Sequence, residues 1–194
     1  SRLPRRMPMN IELTEEEKNL LLHVAREAVT SRLLGTPLKL PPATGNLQAQ
    51  AGVFVTLTTK AGKLRGCIGQ LVGRNNLVET IAEVACSSAF QDPRFTPVRK
   101  EELDTLVFEI SILSPFRPAT PEEVVPGTHG IYLRRGYRSG LLLPQVATEQ
   151  GWNRIEFLEH GCLKAGLSGG CWEDPGTELF IFTALVFHEP HERS

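Results

Sequence analysis

The order in which helix-like and strand-like segments follow one another constrains this chain more than any other feature. Thr14 and Glu17 form a capping box, and Leu20, Leu21, Val24, Ala28 and Leu34 then share one helical face that Gly35 closes. Residues 53–58 alternate as a strand, Lys60-Ala61-Gly62 turns the chain, and 64–69 returns as its hairpin partner. Asn76 and Glu79 open a second helix, which ends before Pro93. Residues 106–113 alternate again, with Leu106, Phe108, Ile110 and Ile112 on one face and Val107, Glu109, Ser111 and Leu113 on the other. A second hairpin is expected from 130–133 and 140–143, and a third helix from the capping box of Asn153 and Glu156 through Ala165. Residues 179–187 are apolar on both faces, the pattern of a central strand covered on both sides. This order lacks the regular strand–helix alternation that builds a parallel sheet. The expected fold class is therefore α+β with antiparallel sheets. Proline-rich stretches at 36–45 and 114–127 are the natural places to divide it into two lobes.

Composition narrows the function classes. A net charge of -1 with scattered Lys and Arg is not the basic footprint of a nucleic-acid binder, so no nucleic-acid partner is expected. No apolar run approaches the roughly 18 residues of a membrane span, so no membrane partner is expected either. Cys67, Cys86, Cys162 and Cys171 are too few and too dispersed to read as a disulfide scaffold, and the nine-residue step from Cys162 to Cys171 is no familiar zinc spacing. A reducing, cytoplasmic setting is expected. Residues 1–11 lack the apolar core of a signal peptide and read as a tail, as do 190–194, leaving 12–189 as the folded domain. Phosphate-binding loops, the dinucleotide fingerprint, His-Glu-x-x-His and Gly-x-Ser-x-Gly are all missing, and neither a cofactor nor a metal site is read from the sequence.

Chemistry concentrates in Leu64-Arg65-Gly66-Cys67-Ile68-Gly69. Gly66 and Gly69 flank a cysteine inside an apolar strand, which implies close approach by another backbone or a ligand. Strict alternation places Arg65 and Cys67 on one face and Leu64 and Ile68 on the other. A guanidinium beside a thiol favours the reactive thiolate, whereas an unbridged cysteine is also a common small core residue. Both readings stand. His129, next to Gly130 after a loop, is a candidate base for Cys67, or else a loop histidine bonded to backbone. Glu109 and Ser111 bring polar groups to an otherwise apolar strand and suggest a shared polar patch. Asp92 and Arg94 read either as a salt-bridged helix terminator or as an anion-binding pair. His23, His160, His188 and His191 read as structural or solvated, and Trp152 and Trp172 as packing groups.

These residues resemble a known family. Gly62-Lys63-Leu64-Arg65-Gly66-Cys67-Ile68-Gly69 is similar to the hallmark of the AMMECR family. Further similar segments follow in the expected order: residues 89–98, 109–115, 127–131, 142–147, 151–153 and 164–167, with Trp172. The resemblance implies a two-lobed α+β fold, an antiparallel sheet in each lobe and both chain ends in the larger lobe. It also implies that the hallmark faces a cleft between the lobes. Gln145 resembles the prokaryotic form, protein A of the AmmeMemoRadiSam system, which implies a Memo-like protein and a radical S-adenosylmethionine protein as partners. No settled reaction comes with the family. The residues then support two functions. One is an enzyme with Cys67 as nucleophile, Arg65 and His129 activating it and Glu109 exchanging protons, with Gly66, Gly69, Asp92, Arg94 and Ser111 lining the site. Its substrate is a small molecule or a peptide. The other is a non-catalytic module that binds a partner or ligand, RNA being disfavoured by charge.

Overall fold

The computed structural model describes residues 11–191, so nearly all of the expected tails at 1–11 and 190–194 lies outside the described residues. The chain forms two units, one of Ser1–Leu113 with Leu185–Ser194 and one of Ser114–Ala184. The division falls at the start of the second proline-rich stretch. Residues 36–45 lie inside the first unit, so that stretch divides nothing.

In the first unit, helix α1 (Glu15–Leu34) begins at the expected capping box and ends at Gly35 in the left-handed conformation. Helix α2 (Leu77–Phe90) begins at Asn76, whose side chain accepts the Glu79 N–H. Strands β1 (Val53–Thr59) and β2 (Leu64–Gln70) form the expected hairpin, and β1 pairs antiparallel on its other side with β3 (Leu106–Leu113). With β8 (Ala184–His188), the sheet order is β2-β1-β3-β8, which leaves β2 on an edge. Val53, Val55, Leu57, Phe108, Ile110 and Ile112 form one face and share a core with Leu21, Val24, Leu77, Ile81 and Ala85 of the helices. Each such large side chain contributes about 1.5–3 kcal/mol by leaving water. The face bearing Phe54, Thr56 and Thr58 therefore points away from the helices.

The second unit holds β4 (Arg117–Pro118), β5 (Gly130–Arg135), β6 (Arg138–Leu142) and β7 (Glu178–Phe182) in the order β4-β7-β5-β6. The β5–β6 hairpin turns at Gly136-Tyr137, as the sequence suggests. Helix α4 (Arg154–Lys164) starts at the Asn153–Glu156 capping box and packs Phe157, Leu158 and Cys162 against Ile131, Leu133 and Ile181. A helix not read from the sequence, α3 (Pro144–Gln150), precedes it. Its signals were present: Pro144 in its first turn and Gly151 just past its end.

Two expectations are corrected here. Residues 179–187 do not form one central strand: β7 is central in its sheet, but β8 belongs to the other sheet and lies on its edge. The break is at Thr183, which exchanges hydrogen bonds with Ser114, its N–H donating to Ser114 Oγ and its carbonyl accepting the Ser114 N–H. Apolarity on both faces reports burial and cannot say which sheet buries each half. The second correction concerns cysteine. Cys162 and Cys171 form a disulfide, with 5.8 Å between their Cα atoms. The chain reverses after α4 at Gly166, which adopts a positive φ that glycine tolerates, and so returns Cys171 to the helix. The cysteine pattern thus gives no argument for a reducing compartment, although intracellular disulfides do occur in hyperthermophiles. Among the described residues, no helix is long and apolar enough to cross a membrane.

Candidate functional site

Cys67 lies in the middle of edge strand β2, opposite Thr56 of β1, and Thr56 is in turn opposite Glu109 of β3. Directly opposed residues share a sheet face, so these three side chains make one row across three strands. All three are half-buried, and the row is on the face turned away from α1 and α2. Cys67 Sγ is 3.2 Å from Thr56 Oγ1, in hydrogen-bonding contact. With strands about 4.8 Å apart, Glu109 stands roughly 10 Å from Cys67 across Thr56. The Glu109 carboxylate has no hydrogen bond or ion pair among the described residues. Ser111 shares this face, opposite Phe54, but at 0% exposure it is packed inside.

The strict alternation expected for β2 does not hold. The β1–β2 register shifts at Leu57/Thr58, so Gly66 opposes Leu57 and Leu64 opposes Thr58, with Arg65 the extra residue of a bulge. Leu64 therefore shares the face of Thr56 and Cys67, and Ile68, opposite Val55, does not. Arg65 pairs with Glu102. Its guanidinium is held by both carboxylate oxygens of Glu102, at 2.9 and 3.1 Å, and this pair keeps the Glu102 carboxyl below its usual range.

The cation that meets Cys67 is Arg94. Asp92 leaves α2 with its carboxylate buried; one oxygen accepts the Cys67 backbone N–H at 2.9 Å and Arg94 Nη2 at 2.8 Å. The other accepts the Arg94 N–H and Nε, both at 3.1 Å. Arg94 Nη2 reaches the Cys67 carbonyl at 3.4 Å. Hydrogen bonding by Arg94 first, and by the two backbone N–H groups, holds the Asp92 carboxyl far below the usual carboxylate range. The bond to Asp92 in turn raises the Arg94 pKa, with a smaller contribution from the nearby Cys67. Asp92 and Arg94 thus do what an edge strand needs: Asp92 accepts the outward N–H of Cys67 and Arg94 donates to its carbonyl. The guanidinium carbons of Arg65 and Arg94 lie over the Phe95 ring, 6.0 and 5.4 Å from its centre.

Both glycines are explained by packing. A Cβ on Gly66 would lie 2.2 Å from the Ser88 carbonyl oxygen of α2, so another backbone does approach there. Ser88 Oγ accepts the Ile68 N–H at 2.9 Å and donates to the Val55 carbonyl at 2.7 Å, placing a hydroxyl between paired strands. On the opposite face, the Phe54 ring covers Gly69. Thr56, Ser88 and Glu102 drew no role from sequence, because only strand register and helix packing bring them to Cys67 and Arg65.

His129 belongs to the second unit. Its ring Nδ1 accepts the Val125 N–H at 3.0 Å, and the His129 backbone N–H donates to the Val125 carbonyl. A neutral ring in this arrangement carries its proton on Nε2. Of the other ring groups, His160 stacks on Trp152 with centroids 3.8 Å apart. Among the described residues, no cluster of His, Cys, Asp and Glu could hold a metal ion.

The AMMECR1 family model matches residues 22–187, which includes this entire row and its supports. The chain belongs to the AMMECR1 family. It is 44% identical to a protein of Methanopyrus kandleri over 93% of this chain and 92% of that one. It is 42% identical to one of Nanoarchaeum equitans, over 87% and 98%. A crystal structure of an uncharacterised protein from Pyrococcus horikoshii superposes with a TM-score of 0.85 at 39% identity, covering 91% of this chain and 93% of that one. The α+β reading and the prokaryotic AMMECR1 resemblance agree with these relatives.

Proposed function

We propose that this AMMECR1 protein is a cysteine-dependent enzyme, or the cysteine-bearing component of one, acting on a small molecule or peptide. It would act together with the Memo-like and radical S-adenosylmethionine partners that the prokaryotic resemblance implies. The observation that carries the reading is the Cys67–Thr56–Glu109 row: a reduced thiol, a hydroxyl and an uncompensated carboxylate in register on one half-buried face. The Asp92–Arg94 pair fixes the Cys67 backbone from behind, which supplies the rigid support that a positioned nucleophile needs. Cys67 Sγ would form the new bond while the leaving group carries off the thiol proton. Glu109 is too far from Sγ for direct transfer. Its place is beyond the substrate, taking a proton from the water or amine that displaces the sulfur and returning it to the thiolate through solvent.

A limiting amount of iodoacetamide followed by peptide mapping tests this. Cys67 should be alkylated well ahead of Cys86, whose thiol pKa is pushed up by burial. Cys67→Ser should be folded and inert in any assay reconstituted with the partners. Preferential labelling of Cys86, or an active Cys67→Ser protein, would sink the proposal. The alternative of a non-catalytic binding module is favoured by one observation: Gly66 and Gly69 are both filled by this chain's own atoms, which leaves them no ligand to accommodate.

A further inference from the structure

We infer that the Cys67 face selects a substrate whose reacting end is positively charged, with Glu109 as the group that recognises the cation. This rests on the proposal that Cys67 is an accessible nucleophile and adds the charge class of what it meets. Two arginines are close to Cys67 along the chain or in space, Arg65 two residues before it and Arg94 on its carbonyl, and a site with two arginines would ordinarily be read as an anion site. Here neither has charge to spare. Arg65 is held two-pronged by Glu102, and Arg94 two-pronged by Asp92. Each pair is neutral, and each arginine has its fork geometry committed to a carboxylate of its own. With those two pairs neutral, Glu109 is the charged group of the row itself, and it has no partner among the described residues.

Position sharpens the point. Thr56 separates Cys67 from Glu109 by one strand on each side, which leaves room for a short chain laid across Thr56. An electrophilic centre at Sγ would put a group a few bonds away over Glu109. A half-buried carboxylate attracts an ammonium there more strongly than a fully exposed one would, and it repels a second anion.

Two methanethiosulfonate reagents of similar size and opposite charge read this directly, one carrying trimethylammonium-ethyl and one sulfonato-ethyl. In each, the cysteine sulfur attacks the sulfenyl sulfur, a disulfide forms and methanesulfinate leaves. Because the attacking thiolate is itself an anion, each rate is divided by that reagent's rate with a small free thiol in the same buffer, and the ratios compared are those of the normalised rates. The rate at Cys67 is followed by mass mapping on the intact, folded protein. The cationic reagent should react about tenfold faster at low salt, the ratio shrinking as salt is added. Glu109→Gln, which removes charge at constant shape, should bring the ratio close to one, and Glu109→Lys should invert it. Equal rates or an anionic preference in the parent protein would overturn the inference while leaving the nucleophile reading intact. A cationic preference that survives in Glu109→Gln would overturn the assignment to Glu109. Failure of both reagents to label Cys67 in the folded protein, with labelling after denaturation, would overturn both.

Discussion

The two units solve the same problem with different means. Each is a four-stranded sheet with helical cover, and each pairs a strand glycine with a cross-strand aromatic ring, Gly69 with Phe54 in one and Gly130 with Phe182 in the other. The first unit has a long two-helix cover and a core extending from Leu21 to Phe187. It needs no covalent tie. The second has a short helix pair over a much smaller core and contains the Cys162–Cys171 disulfide. Small cores rarely stabilise a fold alone, because surface shrinks more slowly than volume, and a cross-link offsets the shortfall. The larger unit instead spends its polar residues on locking chain segments together. Arg26 of α1 grips both oxygens of Glu189 at 2.7 Å, donates to the Leu103 and Leu106 carbonyls and lies over Phe108, while Glu189 accepts the Phe108 N–H. One ion pair thereby fastens the C-terminal segment to helix and sheet.

This contrast can be broken experimentally, beginning with its strongest element. Glu189→Ala should cost about 3–5 kcal/mol, because it strands a buried guanidinium and an unpaired N–H. Chemical denaturation should show the loss, and amide exchange should place it in the first unit. Gly66→Ala should cost about 3 kcal/mol, since its Cβ meets a helix backbone that cannot yield. Gly130→Ala should cost less, because the Phe182 ring in its way can rotate. Equal losses in the two melting curves would refute the distinction between a rigid and a movable obstacle. Removing the disulfide as a Cys162→Ala/Cys171→Ala pair should cost about 2–3 kcal/mol, with faster exchange confined to α4 and its sheet. If α1 and α2 exchange faster as well, the units are not independently stabilised.

Acid provides a finer test. The folded pKa of Asp92 is depressed, so the unfolded chain binds a proton first and the Asp92 contribution is fully present above the ordinary value of about 4. It is lost as pH falls from there toward the depressed folded value. Asp174 and Glu123 of the second unit are also lowered, but they are solvent-exposed and should contribute little. Melting at pH 5 and pH 3 should therefore show a larger drop for the parent than for Asp92→Asn, and no such difference for Asp174→Asn. The smallest effect is expected from Cys67→Ser, within about 0.5 kcal/mol, because the side chain is half-exposed and nearly isosteric. A serine variant that melts much earlier would make Cys67 a packing residue.

The sequence by itself determined the local events. Capping at Thr14, Asn76 and Asn153, the two hairpins and the alternation of β1 and β3 are short-range physics, written in residues three or four apart. The α+β class follows from their order, and the family from a handful of contiguous motifs. Tertiary structure decided everything that depends on which segment meets which. It bulged β2 at Arg65, gave that arginine to Glu102 and gave Cys67 to Arg94 and Asp92. It sent the two halves of 179–187 to different sheets and joined two cysteines whose spacing suggested nothing. Periodicity records how each residue partitions between water and interior. Which partner sits in that interior is set by strand register and helix packing, and neither is encoded within a single segment.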